Sequence, residues 1–379
     1  MLATCRALHH AGYAVTAASS TALAAAQWSR ACSRRMRVPD ARESSEGFVG
    51  RLCKELERRP YGTVIAGSDS SLLAISELRE RIQPLTRLGL PSRSTVESAM
   101  HRERLAQAAG EVGMPTARTI HCSEPEQALR AAEELGLPLA LKSVDGARAG
   151  TEAVESVPKG QVVSTLEELR TEAAKFKDGM LLQQWVAGDV VSVGGVFAGG
   201  RLLGAAVSRY LRMWPPESGS VAFSETVSPP PGLLESVGRL MLAVGWEGIF
   251  ELELIQAKAT EFVPIDLNPR PYGSMALANA AGAPLAVIWC DWLLGPRAPT
   301  SSSPDRQPQA VVARPGVRYR WEDGDLRYVA AQMRRGRYRA AMGALGPRRR
   351  VAHAHFQGAD PLPMLGRALY LASRLISER

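Results

Sequence analysis

The chain has 379 residues, 45% of them apolar and 22% charged, with a formal net charge of +8. That length and balance describe a globular protein with room for two or three cores, and they exclude a disordered or fibrous chain. The excess charge sits at one end: residues 301–379 hold 15 Arg and six acids, so the basicity belongs to the tail and the remainder is close to neutral.

In chain order, Met1–Gly12 reads as a helix and Tyr13–Ala18 as a short strand. Phe48–Arg59 is a helix with Phe48, Leu52 and Leu56 on one face. It precedes the strand Thr63–Ala66, a turn at Gly67–Ser70 and the helix Leu72–Arg81. This alternation implies a parallel, Rossmann-like sheet. Such a sheet normally opens with a strand, and this chain opens on a helix, so the first strand is expected to be missing through a truncation or a misassigned start. Asp69 falls at a βα turn; it reads as a cap for the helix that follows, with contact to an acceptor substrate as the second reading. A helix over Ser94–Gly113 leads to the strand Ala117–His121, the helix Glu126–Leu135 and a strand ending at Lys142. The helix Leu166–Phe176 precedes the strands Met180–Val186, Val190–Phe197 and Arg201–Ser208. The helix Leu233–Val244 then leads into a hairpin. Ser301–Gln309 is the clearest linker, and the Arg-rich tail lies beyond it.

Neither apolar stretch suits a membrane. The Ala-rich run Ala14–Ala26 is broken by Thr16, Ser19, Ser20 and Thr21, so no signal peptide is expected. Met275–Leu294 contains Asn279, Gly282, Pro284 and Asp291, and reads as one buried amphipathic helix. Five scattered cysteines (5, 32, 53, 122, 290) in no metal-ligand spacing fit a reducing, cytoplasmic setting. There is no Walker A segment and no GxGxxG fingerprint, which argues against a P-loop ATPase and a dinucleotide enzyme. The six histidines do not cluster as a zinc site.

The most informative segments are Phe250-Glu251-Leu252-Glu253-Leu254 and Val263-Pro264-Ile265-Asp266-Leu267-Asn268-Pro269-Arg270. In a strand, residues two apart share a face, so Glu251 and Glu253 look one way, as do Asp266 and Asn268. A hairpin centred between Ala259 and Thr260 sets Glu253 opposite Asp266 and Glu251 opposite Asn268. Three carboxylates and an amide on one face are costly without a cation, and oxygen donors without His or Cys suit Mg²⁺ beside phosphate. Arg270 adds a guanidinium that can clamp a phosphate or carboxylate. Lys142 closes Pro138-Leu139-Ala140-Leu141-Lys142 just before the small-residue stretch Ser143–Gly150, a placement that suits phosphate neutralisation by the ammonium and cradling by backbone N–H groups.

The pair Gly248-Ile249-Phe250-Glu251-Leu252-Glu253 and Ile265-Asp266-Leu267-Asn268-Pro269-Arg270 resembles the metal-binding end of the ATP-grasp superfamily, especially its carboxylate-amine ligases and carbamoyl-phosphate-synthase-like members. The resemblance extends to about residue 295. It implies an ATP-dependent ligase that activates a carboxylate as an acyl phosphate for capture by an amine or similar nucleophile, with ATP and Mg²⁺ (Mn²⁺ as the alternative ion). Glu253, Asp266 and Asn268 match the metal ligands, although Asp266 stands where Glu is commoner. Arg270 matches an arginine that stabilises the transferring group, and Lys142 the phosphate lysine. Arg102, in His101-Arg102, stands where the family often has the lysine of an Asp-Lys pair. Leu181–Asp189 resembles the hinge, with Gln183, Gln184, Trp185 and Val186 at the base and Asp189 near the ribose. Arg209, Arg212 and Gly219-Ser220 match a loop that faces substrate or phosphate.

The expected architecture mixes α/β and α+β. It has a Rossmann-like region over 1–93, a two-subdomain ATP-grasp fold with a small part over 94–180 and a large, metal-bearing part over 181–300, and a small basic C-terminal domain over 301–379. The partners expected are a small-molecule carboxylate and an amine, with no membrane, and a homodimer is left open. Two other readings stand beside the ligase: a degenerate scaffold that binds nucleotide without turnover, and binding of an anionic polymer such as nucleic acid through the tail. The second is disfavoured because Arg327, Arg334 and Arg337 fall at helical spacing, as on a solvated face. Neither substrate is named by the sequence.

Overall fold

Three sheets organise the described residues of the computed structural model, which are 1–143, 161–176, 179–216, 219–295, 309–345 and 350–377. Near the start, β1 (Thr16–Ser19) and β2 (Arg34–Arg37) form a two-stranded parallel sheet. It lies beside the helices Leu2–His10 and Ser45–Arg58, and the second buries Phe48, Val49, Leu52 and Leu56. Ser44 caps this helix, its Oγ accepting from the Gly47 N–H at 2.9 Å. The segment Thr63–Ala66, expected as a strand, forms only one parallel bridge, Thr63 with Arg87. A parallel pair with flanking helices therefore stands where a full Rossmann-like sheet was expected.

The second sheet holds β3 (Thr119–Cys122), β4 (Leu139–Ser143), β5 (Gln161–Val163) and β6 (Met180–Gln184) in the order β3-β6-β4-β5. The helices Pro125–Leu135 and Leu166–Ala173 close one face, where Ala128, Ala132 and Leu169 meet Leu139, Leu141 and Leu182 in one core. Because β6 pairs into this sheet, the small part runs to Gln184 rather than to residue 180. The single helix expected over 94–113 is two, Arg93–Met100 and Arg102–Glu111, broken where His101 turns extended (φ −91°, ψ 117°). Val96, Leu105 and Ala109 of these helices share a core with Leu240, Leu252 and Leu267 of the large part.

The third sheet is built from β7 (Asp189–Ala198), β8 (Arg201–Trp214), β9 (Ser220–Thr226), β10 (Gly248–Lys258), β11 (Glu261–Asn268), β12 (Val311–Val312), β13 (Arg318–Arg320) and β14 (Val351–His353). Its path is β11-β10-β7-β8-β9-β13-β14, with β12 beside β8. The tail is thus not a separate basic domain: three of its segments pair into the large sheet. Arg212 of β8 fixes the arrangement, donating from both Nε and Nη2 to Asp325 at 2.8 Å. Arg320 reaches the same carboxylate at 2.9 Å, and Phe223 stacks 4.2 Å from the Arg212 guanidinium. Arg327, Arg334 and Arg337 are exposed. Ser301–Pro308 of the expected linker lies outside the described residues.

Met275–Leu294 is also divided, into Met275–Ala280 and Leu285–Leu294 around Gly282 and Pro284. Among the described residues no helix is long and apolar enough to cross a membrane. Glycine matters at one crowded point of the large sheet: a Cβ on Gly194 would stand 1.9 Å from the Tyr272 Oη, so any larger residue there must displace that ring.

Candidate nucleotide and metal site

The hairpin β10–β11 pairs Glu253 with Asp266 and Glu251 with Asn268, and a bulge follows Glu253. Period-two alternation therefore gathers the acidic groups on one face, as the sequence required. Glu251 is the most deeply set, only 5% exposed. It accepts from the Ser274 hydroxyl at 3.3 Å and from the Asn268 Nδ2 at 3.3 Å. The Tyr210 hydroxyl, on β8, donates to Glu253 at 3.1 Å. Burial, followed by the charges of Glu251 and Glu253, pushes the Tyr210 hydroxyl well above its ordinary pKa, so it stays a donor. Among the described residues no three His, Cys, Asp or Glu side chains form a ready-made metal cluster.

This face borders a cleft of about 320 Å³ between the small and large sheets, within the range of small-molecule sites. Arg102, Lys142, Gln183, Gln184, Trp185, Val186, Glu253 and Asp266 all line it. They come from separate stretches of chain that the fold brings together. Gly219 and Ser220 line it too. Asn268, Arg270 and Asp189 are not among its lining residues. Asp189 is exposed at the start of β7 and lies 3.9 Å from Arg209. Arg212, matched to a phosphate-facing loop, is instead committed to Asp325. The stretch Val144–Gly150 after Lys142 lies outside the described residues.

Lys142 spans the cleft. Its Nζ donates to the Gln183 Oε1 at 2.8 Å on the small sheet and to the Ile265 carbonyl at 3.3 Å on β11. The Gln183 Nε2 donates to Thr119 at 3.1 Å, which fixes the orientation of the amide. Burial first, and then the Arg102 charge, lowers the Lys142 pKa to about 8 against the opposing pull of Asp266 and Glu253. Arg102 lies 3.2 Å from Asp266. Two cations and two carboxylates thus meet at one end of the cleft. Where the chain leaves β6, the Gln184 N–H donates to the Arg118 carbonyl at 2.8 Å and the Trp185 N–H to that of Pro138 at 3.4 Å.

Arg270 sits beyond the carboxylates. Its Nε and Nη2 donate to the two oxygens of Asp69 at 2.5 and 2.9 Å, and its Nη2 also donates to the Asn268 Oδ1 at 3.2 Å. Burial is the largest single influence and opposes the guanidinium charge, but the Asp69 bond and the charges of Asp69, Glu251 and Asp266 together raise the Arg270 pKa. Asp69 is therefore not the helix cap expected of it. Ser68 caps that helix, within a capping box with Ser71, and the Asp69 carboxylate turns toward Arg270. Tyr210 escaped the sequence reading altogether, since nothing local to β8 points at a hairpin 41 residues away.

No family model matches the chain, and no curated protein matches it by sequence. Solved structures do share its fold. The biotin carboxylase–β,γ-ATP complex from Campylobacter jejuni superposes with a TM-score of 0.58 at 16% identity, over 79% of this chain and 69% of that one. The L-amino acid ligase from Bacillus licheniformis gives 0.59 at 16% identity, over 76% and 70%. The N5-carboxyaminoimidazole ribonucleotide synthetase from Thermus thermophilus gives 0.59 at 18% identity, over 84% and 78%.

Proposed function

Since the chain has the ATP-grasp fold, we propose that it is an ATP-dependent ligase that joins a carboxylate to an amine or similar nucleophile. A carboxylate oxygen attacks the γ-phosphorus of ATP and ADP departs. The amine nitrogen then attacks the carbonyl carbon of the acyl phosphate, releasing phosphate and a proton. The observation that carries this reading is the cleft, where a lysine, an arginine and the hinge residues 183–186 converge on two hairpin carboxylates.

Each residue has a role that its surroundings suit. Lys142 neutralises phosphate oxygens that do not react, and Gln183 holds its ammonium in place. Trp185 and Val186 supply the apolar wall for the base, with Gln184 beside them. Arg270, oriented by its two bonds to Asp69, lies beyond the carboxylates and would stabilise the transferring group at that end of the site. Glu253, Asp266 and Asn268 would hold Mg²⁺, or Mn²⁺, through hard oxygen donors of the kind these ions prefer. When bound, that ion neutralises phosphate charge and orients the triphosphate. The Asn268 nitrogen donates to Glu251 and its oxygen accepts from Arg270, so a bound ion would share that oxygen with the guanidinium.

A screen of carboxylates and amines for Mg²⁺-dependent phosphate release tests the proposal, with Asp266→Ala as the blank. We expect that substitution to remove activity by a factor on the order of 10²–10³, as for other lost electrostatic contacts; undiminished release by the variant defeats the assignment. The Arg102–Asp266 ion pair favours one second reading, a scaffold that binds nucleotide without turning it over. Tight nucleotide binding with no phosphate release across the screen would select that reading.

A further inference from the structure

Tyr210 has no role in the reaction proposed above, yet its hydroxyl stands between two carboxylates of the hairpin. The Oη lies 3.1 Å from the Glu253 Oε1 and 3.5 Å from the Glu251 Oε1. An ionised carboxylate only accepts and a hydroxyl carries one proton, so the shorter contact takes it. Glu251 is served otherwise, by the Ser274 hydroxyl and the Asn268 amide.

The fold aims this side chain from a distance. Tyr210 is on β8, and β7 lies between β8 and β10. Cross-strand partners share a face, which sets Glu253, Ser192 and Ser208 in one row. Tyr210, two residues beyond Ser208, faces the same way, and the β7 residue in that row is small enough for a long ring to lean across. A bulge follows at once. Tyr210 pairs with Ser224 and Arg212 with Phe223. Phe223 and Ser224 are neighbours, so their side chains point to opposite faces, and so do those of Tyr210 and Arg212. Regular alternation would have put the guanidinium on the face of Tyr210; the bulge re-aims it toward Asp325 and the Phe223 ring. Tyr210 is itself held by packing against Val221, Leu277 and Tyr319.

Taking Glu253 as a ligand of the divalent cation, the reading on which this inference rests, we propose that Tyr210 is a positioning residue that sets which cation the site accepts. Its hydroxyl commits the Glu253 Oε1, so the carboxylate meets the ion through its other oxygen. Coordination by one oxygen suits Mg²⁺, which is small and holds to an octahedral shell. Ca²⁺ takes more oxygens and often both of one carboxylate. Removing the hydroxyl releases Oε1 and turns the site toward the larger ion.

The test is Mn²⁺ binding to the full chain at a fixed concentration of ADP, read by water-proton relaxation, with Mg²⁺ and Ca²⁺ compared as competitors. ADP is common to parent and variant, so its own preference between the ions cancels. Tyr210→Phe keeps the ring, and it lowers the preference for Mg²⁺ over Ca²⁺ by about ten-fold or more, as expected for a partner of a metal ligand. In a Glu253→Ala background, where there is no carboxylate to position, the same substitution leaves the preference where it stands. An unchanged preference in Tyr210→Phe overturns the proposal. So does an equal weakening of both ions, which is what looser packing alone produces, or an undiminished effect in the Glu253→Ala background. These outcomes leave the metal site itself intact. A parent that holds no Mn²⁺ in the presence of ADP instead removes the site, and the ligase reading falls with it.

Discussion

Lys142 is caught between opposing demands. Its ammonium is buried, which lowers its pKa from 10.5 to about 8, yet the phosphate role proposed for it needs it charged. Binding of a phosphate chain raises that pKa again, so nucleotide binding near pH 8 takes up a fraction of a proton, and affinity weakens as pH climbs through 8. Calorimetry in two buffers of different ionisation heat measures this uptake, and Lys142→Arg removes it; binding with no proton exchange in the parent contradicts the assignment. The sign for stability is opposite. A lowered lysine penalises the fold below about pH 8, and the penalty lifts as pH rises from there toward 10.5. Asp69 is the second residue with a measurable part. Asp69→Asn keeps the size and loses the charge that grips Arg270. We expect kcat to fall by a factor on the order of 10² with the KM for ATP little changed; a rise in KM alone would place Asp69 outside the chemistry. The sequence showed Asp69 at a βα turn, but its partner lies 201 residues away, and no local pattern encodes such a pairing.

The elements differ in how openly the chain announces them. The hairpin register was legible because apolar and acidic residues alternate on both arms and a short polar connection fixes the centre. The helix break at His101 was not, since Ser94–Gly113 carries no Gly or Pro before Gly110 and its propensities run on unbroken. Both halves reach the same core, through Val96 before the break and Leu105 after it, a long-range packing that no local pattern displays. Strands of two or three residues, such as β12 and β14, are too short to display a period, and the tail was read as helical and separate for that reason. Within the large sheet, Gly194→Ala tests how tightly the layer under the hairpin is packed. The new methyl meets Tyr272, and overpacking of this kind costs about 1–3 kcal/mol. Chemical denaturation should register it as a lower midpoint with an unchanged slope.

At the scale of the whole molecule, the basic tail is part of the scaffold. Arg212, Arg320 and Asp325 tie β8 and β13 to the helix Glu322–Arg334, with the Asp325 and Arg212 side chains only 9% and 11% exposed. Removing one member of a buried ion group leaves uncompensated charge, so Asp325→Ala should destabilise by roughly 3–5 kcal/mol. Thermal melts read this directly, and a melt like that of the parent would mean that the tail docks by other means. The net charge that first set the tail apart is thus partly spent inside the protein.

The Lys142 ammonium, donating at once to Gln183 and to the Ile265 carbonyl, has one more consequence. It works as a clasp across the mouth, fastening the jaw that carries the hinge to the jaw that carries the acids. With two of its three N–H donors engaged, one on each side, the ammonium keeps a third for a group entering the mouth, so a phosphate there would tighten the fastening rather than undo it.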